Sequence, residues 1–126
     1  MNRANFADLL GRTIQSIDIS KPNDRITIET TDGVSWTIKH SQDCCETVTI
    51  EDVAGDINDL LGYPLTMAEE VSNSDQIEGN EMYSESFTWT FYKLATVKGY
   101  VTIRWFGSSN GYYSETVSTY CSNPIN

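Results

Sequence analysis

The stretch ESFTWTFYKLATVKGYVTIRWF, residues 85–106, decides the fold of this chain. Aromatic and β-branched residues alternate with a period of two, which predicts strands over residues 85–95 and 100–106 joined at a glycine corner. Residues 107–111, Gly-Ser-Ser-Asn-Gly, are typical of a tight turn. With a further strand over residues 112–118, we expect a three-stranded antiparallel meander.

The two faces of this meander carry different side chains. One face of its first strand carries Phe87, Trp89 and Phe91, which we expect to be core because aromatic residues at alternating positions are usually buried. The other face carries tyrosines that could instead line a ligand groove or an interface: Tyr92, Tyr100 and Tyr112.

The rest of the chain predicts short strands and two short helices. Thr31-Asp32-Gly33 separates two alternating runs, which is a hairpin signal. Helices are predicted over residues 5–10, which end at Gly11, and over residues 53–61, with Asp52 as the N-cap. We therefore predict an α+β fold, mainly antiparallel β-sheet with two short helices, in the order α-β-β-β-β-α-β-β-β-β.

The domain boundaries follow from length and composition. The chain has 126 residues, the usual size of one domain, so residues 1–126 are predicted to fold as a single unit. Residues 65–71 are predicted to form a strand, residues 72–84 an acidic loop and residues 119–126 a frayed tail. The longest apolar runs are too short to span a bilayer, and no signal peptide is predicted.

Acidic residues dominate the middle of the chain. The net charge is −10, and residues 40–92 contain no lysine or arginine. This charge opposes direct binding to nucleic acid or to an anionic membrane and favours a basic protein surface as partner. The residues predicted to contact such a partner are Asp43, Glu46, Asp56, Asp59, Asp75, Glu78 and Glu81.

Residues 40–46 concentrate groups that could carry chemistry. His40, Cys44 and Cys45 could bind zinc, with Cys121 as a further ligand, although their spacing matches no standard zinc finger. The alternative is that the cysteines are small buried apolar residues and that no cofactor is bound. Neighbouring carboxylates disfavour a reactive thiolate, so we do not predict an enzyme. Three cysteines, two of them adjacent and not expected to pair, indicate a reducing cytosol.

Arg104 is the one arginine in the second half of the chain. We expect it to form a half-buried ion pair with Glu115 on the following strand. Alternatively, the chain binds a small ligand such as a nucleotide, with Arg104 as a clamp and with stacking on three tyrosines. The residues of that alternative site are Tyr92, Tyr100, Arg104 and Tyr112.

The chain resembles an uncharacterised family of small phage and prophage proteins. The matching stretches are residues 43–46 (DCCE), 67–71 (MAEEV), 88–96 (TWTFYKLAT), 98–105 (KGYVTIRW) and 109–115 (SNGYYSE). The resemblance implies a phage or mobile-element context in the cytoplasm of a bacterial host. It also draws attention to His40, the cysteine pair, Arg104 and the turn over 109–115, but it supplies no activity.

Charge and resemblance together lead to one functional hypothesis. A CRISPR effector holds nucleic acid in a positively charged channel, which an acidic protein could occupy or block. We therefore expect a non-enzymatic, phage-encoded protein that inhibits a bacterial host-defence effector of the CRISPR type. The small-ligand protein and the zinc protein remain the alternatives.

Overall fold

The computed structural model describes residues 1–20, 23–78, 84–109 and 114–122, which form nine strands and two 3-10 helices. The strands are β1 (Asn2–Ala4), β2 (Ile14–Ser20), β3 (Arg25–Thr30), β4 (Ser35–Lys39), β5 (Thr47–Ala54), β6 (Met67–Glu78), β7 (Ser84–Thr96), β8 (Gly99–Ser109) and β9 (Ser118–Cys121). The 3-10 helices are Phe6–Leu9 and Ile57–Leu60.

The strands form two antiparallel sheets. The five-stranded sheet has the order β1-β9-β4-β3-β2, and the four-stranded sheet has the order β5-β8-β7-β6. The predicted α+β class with two helices is therefore wrong, and the fold is nearly all β. No helix in the described ranges has the length and apolar character needed to cross a membrane.

The predicted helix over residues 53–61 fails at a glycine. Strand β5 continues to Ala54, and Gly55 then adopts a φ of 106°, outside the helical region. Asp56, rather than Asp52, accepts a hydrogen bond from the amide of Asn58 and begins the second 3-10 helix. Where each helix was predicted, the structure has a 3-10 helix of four residues. An α-helix of so few residues has little stability of its own in water.

The turn between β3 and β4 is where the sequence predicts it. Gly33 has a φ of 86°, and its amide donates to the carbonyl of Thr30. The carboxylate of Asp32 accepts bonds from the Thr30 hydroxyl and the Val34 amide. These local bonds fix the hairpin, so the Asp-Gly signal is confirmed.

Three other boundaries differ from the prediction. β6 continues to Glu78, so much of the predicted loop over residues 72–84 is strand, and residues 79–83 lie outside the described ranges. The predicted third meander strand is also wrong. Residues 110–113 lie outside the described ranges, residues 114–117 are irregular, and β9 pairs with β1 and β4 in the other sheet. The start of the predicted tail is therefore ordered; residues 123–126 lie outside the described ranges.

One apolar core receives the buried faces of both sheets. The five-stranded sheet contributes Trp36 and Ile38, while the four-stranded sheet contributes Leu94, Ile103 and Trp105. All five are at most 1% exposed. This common core makes the two sheets mutually dependent, because each buries the apolar surface of the other.

The inward face of β7 is opposite to the predicted one. Tyr92 and Leu94 are buried, and the ring of Tyr92 lies 4.5 Å from that of Phe6. Trp89 and Phe91 are only partly buried on the other face. The expectation that Tyr92 faces outward is therefore wrong, since Phe6 and the five-stranded sheet cover its side of β7.

Two glycines with positive φ provide a test of this backbone. At Gly55, an added Cβ would lie 2.5 Å from the carbonyl oxygen of Tyr100, whereas Gly62 (φ 82°) has nothing within 4 Å. We expect Gly62→Ala to cost about 1 kcal/mol through its left-handed backbone. Gly55→Ala should cost about 3 kcal/mol, because β8 must also move. Urea unfolding measures both, and equal costs would contradict the close approach to Tyr100.

Candidate functional site: the outer face of the four-stranded sheet

Aromatic side chains line the face of the four-stranded sheet that points away from the core. Trp89 lies opposite Phe106, and Phe91 lies opposite Arg104, so these residues share a face. The ring of Phe106 lies 4.5 Å from Trp89 and 5.6 Å from Phe87. We call this set the outer aromatic face: Phe87, Trp89, Phe91, Arg104 and Phe106.

Arg104 is part of this face rather than a partner of Glu115. Its guanidinium carbon lies 5.1 Å from the ring centre of Trp89, within the range of a cation–π contact. A guanidinium nitrogen lies 3.6 Å from a carboxylate oxygen of Glu51. The predicted Arg104–Glu115 pair is therefore wrong, because the two residues lie on opposite sides of the sheet.

Carboxylates flank the outer aromatic face on both edge strands. On β5, Glu51 and Asp52 are exposed, and Asp52 lies opposite Arg104. On β6, Glu69 is exposed opposite Lys93, and Val71, 38% exposed, lies opposite Phe91. The face therefore combines partly exposed ring surface at its centre with negative charge along two sides.

The residues of the predicted small-ligand site do not come together. Tyr100 is 49% exposed and shares the outer side of the sheet with Arg104, four residues along β8. Tyr92 is 0% exposed on the core side, where burial, followed by the charge of Glu70, raises the pKa of its hydroxyl. Tyr112 lies outside the described residues. Of the four residues predicted for the small-ligand site, the structure therefore places only Arg104 and Tyr100 together on the outer side of the sheet, within the described residues.

The acidic residues predicted to contact a partner lie on several elements. Asp43 is exposed before β5, while Asp56 and Asp59 lie in and beside the second 3-10 helix. Asp75 and Glu78 are in β6, and Glu81 lies outside the described residues. Glu46 is only 3% exposed and cannot contact a partner, so this part of the prediction is wrong.

Glu46 instead forms a buried hydrogen-bonded centre. Its carboxylate accepts bonds from the His40 ring at 2.8 Å, from the Cys44 amide at 2.8 Å and from the Asp43 amide at 3.0 Å. The other ring nitrogen of His40 lies 2.7 Å from the carbonyl of Thr116. Both ring nitrogens of His40 thus contact protein oxygens, so His40 joins the segment before β5 to the segment before β9.

This environment changes the acidity of Glu46. Burial alone would raise the pKa of the carboxyl group, but hydrogen bonds from the Cys44 amide, the His40 ring and the Asp43 amide outweigh it. The result is a pKa lowered from 4.5 to about 2. The carboxylate therefore stays ionised in the folded protein at pH values where it is protonated in the unfolded chain.

The lowered pKa predicts a loss of stability in acid. The stabilisation from ionised Glu46 is complete above its ordinary pKa of 4.5 and is lost as the pH falls through about 2. We expect the melting temperature of the wild type to fall more steeply between these pH values than that of Glu46→Gln. Parallel curves for the two proteins, recorded by circular dichroism, would contradict this role of Glu46.

The cysteines beside Glu46 are not arranged as zinc ligands. The sulfur atoms of Cys44 and Cys45 are bonded to each other, although the sequence predicted that they stay unpaired. Both nitrogens of His40 are occupied by protein oxygens. Across the described ranges, no group of three His, Cys, Asp or Glu side chains could hold a metal ion. The reducing compartment inferred from these cysteines stays a prediction.

A second buried carboxylate, Glu115, joins the irregular segment before β9 to the four-stranded sheet. It accepts hydrogen bonds from the hydroxyls of Thr88 at 2.7 Å and Ser86 at 3.3 Å, and also from Ser109. A Cβ at Gly107 would lie 2.9 Å from the Cβ of Glu115, so only glycine allows this approach. Glu46 and Glu115 are thus both buried, hydrogen-bonded carboxylates that link separate segments of the chain.

The outer aromatic face offers aromatic rings and one guanidinium, flanked by carboxylates. Its four strands contain no histidine or cysteine, so they offer no imidazole base and no thiol nucleophile. Sequence reasoning assigned Phe87, Trp89 and Phe91 to the core and did not assign Phe106. No local signal selects this face, because bulky residues occupy both sides of Thr-Trp-Thr-Phe-Tyr in β7 and alternation alone does not show which side is buried.

Comparison with known proteins gives a family and no activity. A family model described as a domain of unknown function, DUF7448, matches residues 7–119. No curated protein and no solved structure matches the chain.

Proposed function

The chain belongs to the DUF7448 family, and we propose that it is a non-enzymatic protein that binds a basic surface of a partner protein. The observation that supports this proposal is the outer aromatic face, with partly exposed rings between two edge strands that carry exposed carboxylates. Aromatic residues and arginine at the centre of a patch with a charged rim are typical of protein interfaces.

The chemistry of this face selects cations. The π-electron faces of Trp89 and Phe91 attract a guanidinium or ammonium group. Arg104 already lies 5.1 Å from the ring centre of Trp89, so this face of the sheet accommodates one guanidinium on an aromatic ring. Glu51 and Glu69 on the two edges offer carboxylates to the same cations, while the net charge of −10 speeds the approach of a basic partner.

The partner class that we propose is a bacterial nucleic-acid-binding protein. Such a protein presents arginine and lysine in a groove that matches the charge of this chain. The resemblance to phage and prophage proteins favours a host-defence effector of the CRISPR type, which holds its nucleic acid in a basic channel. In this proposal the chain acts in the bacterial cytoplasm by covering that channel.

Affinity capture from a bacterial lysate tests the proposed face. We expect the wild type to retain one or a few basic proteins, identified by mass spectrometry, and Trp89→Ala to lose them. Tyr63→Ala is the matched control, because Tyr63 is an exposed aromatic residue outside the strands. Raising the salt from about 0.1 to 0.5 M should weaken retention, since screening shortens the range of charge attraction.

Two results would contradict the proposal. Equal retention by the wild type and Trp89→Ala would remove the outer aromatic face from the interface. A co-purifying small molecule that depends on Arg104 and Tyr100, with no protein retained, would favour the small-ligand alternative. DNA cleavage by a captured CRISPR nuclease, with and without added protein, then tests inhibition directly.

A further inference from the structure

The edges of the two sheets differ in how they are protected from pairing. Among the described strands, the edge strands are β1 and β2 in one sheet and β5 and β6 in the other. β1 has only three residues, β2 has a register shift between Ile14 and Ser16, and β5 has a register shift between Ile50 and Asp52. Short edge strands and bulges are the usual means of preventing another chain from adding a strand. The fourth edge, β6, pairs with β7 over twelve residues without a register shift.

The outward side of β6 is free over six residues. Every residue in the range 69–74 is exposed. Within the described part of the chain, these residues form backbone hydrogen bonds to β7 and to no other segment. Alternate backbone groups of an edge strand point away from its neighbour, so this stretch presents a row of donors and acceptors about 20 Å long.

The charge of this edge selects what can pair with it. Glu69 and Glu70 lie on opposite faces of β6, and the range 69–74 contains no lysine, arginine or proline. A second copy of the chain brings further carboxylates and a net charge of −10, which opposes pairing between copies. A strand with lysine or arginine beside Glu69 is attracted instead.

The position of β6 connects this edge to the outer aromatic face. Glu69, Val71 and Asn73 point to the same side as the aromatic rings, because they lie opposite Lys93, Phe91 and Trp89 of β7. A strand added to β6 would extend that face by one strand. Its cations on this side would lie beside Glu69, on the side of the sheet that carries the partly exposed ring of Phe91.

We propose that an extended basic segment of the partner adds to β6 as a fifth strand of the four-stranded sheet. This inference rests on the proposed capture of a basic protein and specifies how the partner is held. Backbone hydrogen bonds to residues 69–74 supply affinity, and side chains at alternate positions supply specificity.

A synthetic peptide tests this mode of binding. The probe is a peptide of about eight residues that alternates lysine or arginine with threonine or valine, long enough to span the exposed edge. The control has the same sequence and charge but is N-methylated at alternate residues, so it cannot form a strand ladder. We expect the control to bind at least about tenfold more weakly by calorimetry. The amides of residues 69–74 should gain protection from hydrogen exchange only with the unmethylated peptide.

Proline variants test the edge from the side of the protein. Val71 and Ser72 are neighbours, so one amide points towards β7 and the other points outward. We make both variants, Val71→Pro and Ser72→Pro. The variant that lost the amide bonded to β7 should be destabilised, and the variant that lost the outward amide should keep a nearly wild-type melting temperature. We expect this variant to lose binding of the unmethylated peptide.

The possible outcomes separate this inference from the proposed function. Equal binding of both peptides would overturn strand addition while leaving charge-based capture of a basic protein intact. Binding of neither peptide, or wild-type binding by the stable proline variant, would also overturn strand addition. Capture that is lost in Trp89→Ala would still support the proposed function. A dimer formed through β6, detected as concentration-dependent protection of residues 69–74 without peptide, would assign this edge to a second copy instead.

Discussion

Glu46→Ala is expected to lower the melting temperature by roughly 10 °C at neutral pH, the scale expected for leaving several buried hydrogen-bond donors without their acceptor in a domain of this size. The variant leaves the His40 ring and the amides of Asp43 and Cys44 without their acceptor. Water cannot replace the carboxylate easily, because the side chains of His40 and Glu46 are 4% and 0% exposed. Thermal unfolding followed by circular dichroism measures the change.

The control for this prediction lies three residues away. Asp43→Ala removes an exposed carboxylate from the same segment and should change the melting temperature by no more than about 2 °C. A double-mutant cycle with His40→Ala should show strong coupling, since each residue is the other's buried partner. Equal effects of Glu46→Ala and Asp43→Ala would mean that the buried bonds contribute nothing to stability.

Trp36→Ala is expected to cost about 4 kcal/mol of unfolding free energy, and Trp89→Ala about 1 kcal/mol. Trp36 is fully buried, and its indole nitrogen donates a hydrogen bond of 3.1 Å to the hydroxyl of Thr30. Its removal leaves a large cavity in the core common to both sheets. Trp89 lies on the outer aromatic face, where water and Phe106 can fill the space.

The two substitutions delete the same atoms, so each is the control for the other. Urea unfolding gives the stability difference, and the capture experiment gives the difference in binding, which we expect to be large only for Trp89. If both variants lose about the same stability, Trp89 belongs to the core, and the outer aromatic face cannot be the binding surface. These two substitutions therefore separate residues that hold the fold from residues that we propose to bind.

Local signals in the sequence predicted the paired strands correctly. The Thr31-Asp32-Gly33 turn and the runs on either side predicted the hairpin of β3 and β4, in which the structure places Ile28 opposite Trp36. The alternation over residues 85–106 likewise predicted β7 and β8. Both cases succeed because turn chemistry and a period of two depend mainly on neighbouring residues.

The candidate site depended on contacts between distant residues. The sequence of β7 gives two faces but does not say which one is buried, because Tyr92 and Leu94 compete with Trp89 and Phe91. Phe6 and the five-stranded sheet decide this by covering Tyr92 and Leu94. The prediction for this face failed for that reason, and the aromatic residues assigned to the core are now the proposed binding surface.

The sequence by itself determined the charge of this protein, the alternation of its strands and the turns that join them. The tertiary structure decided the partners of residues far apart in the chain, such as β9 between β1 and β4, or His40 with the carbonyl of Thr116. It also decided that Glu46 is buried while Glu69 is exposed, although both belong to the same acidic stretch. The physical reason is that period, turn geometry and charge act between neighbours. Burial and strand order depend instead on which distant segments exclude water from the same side chains.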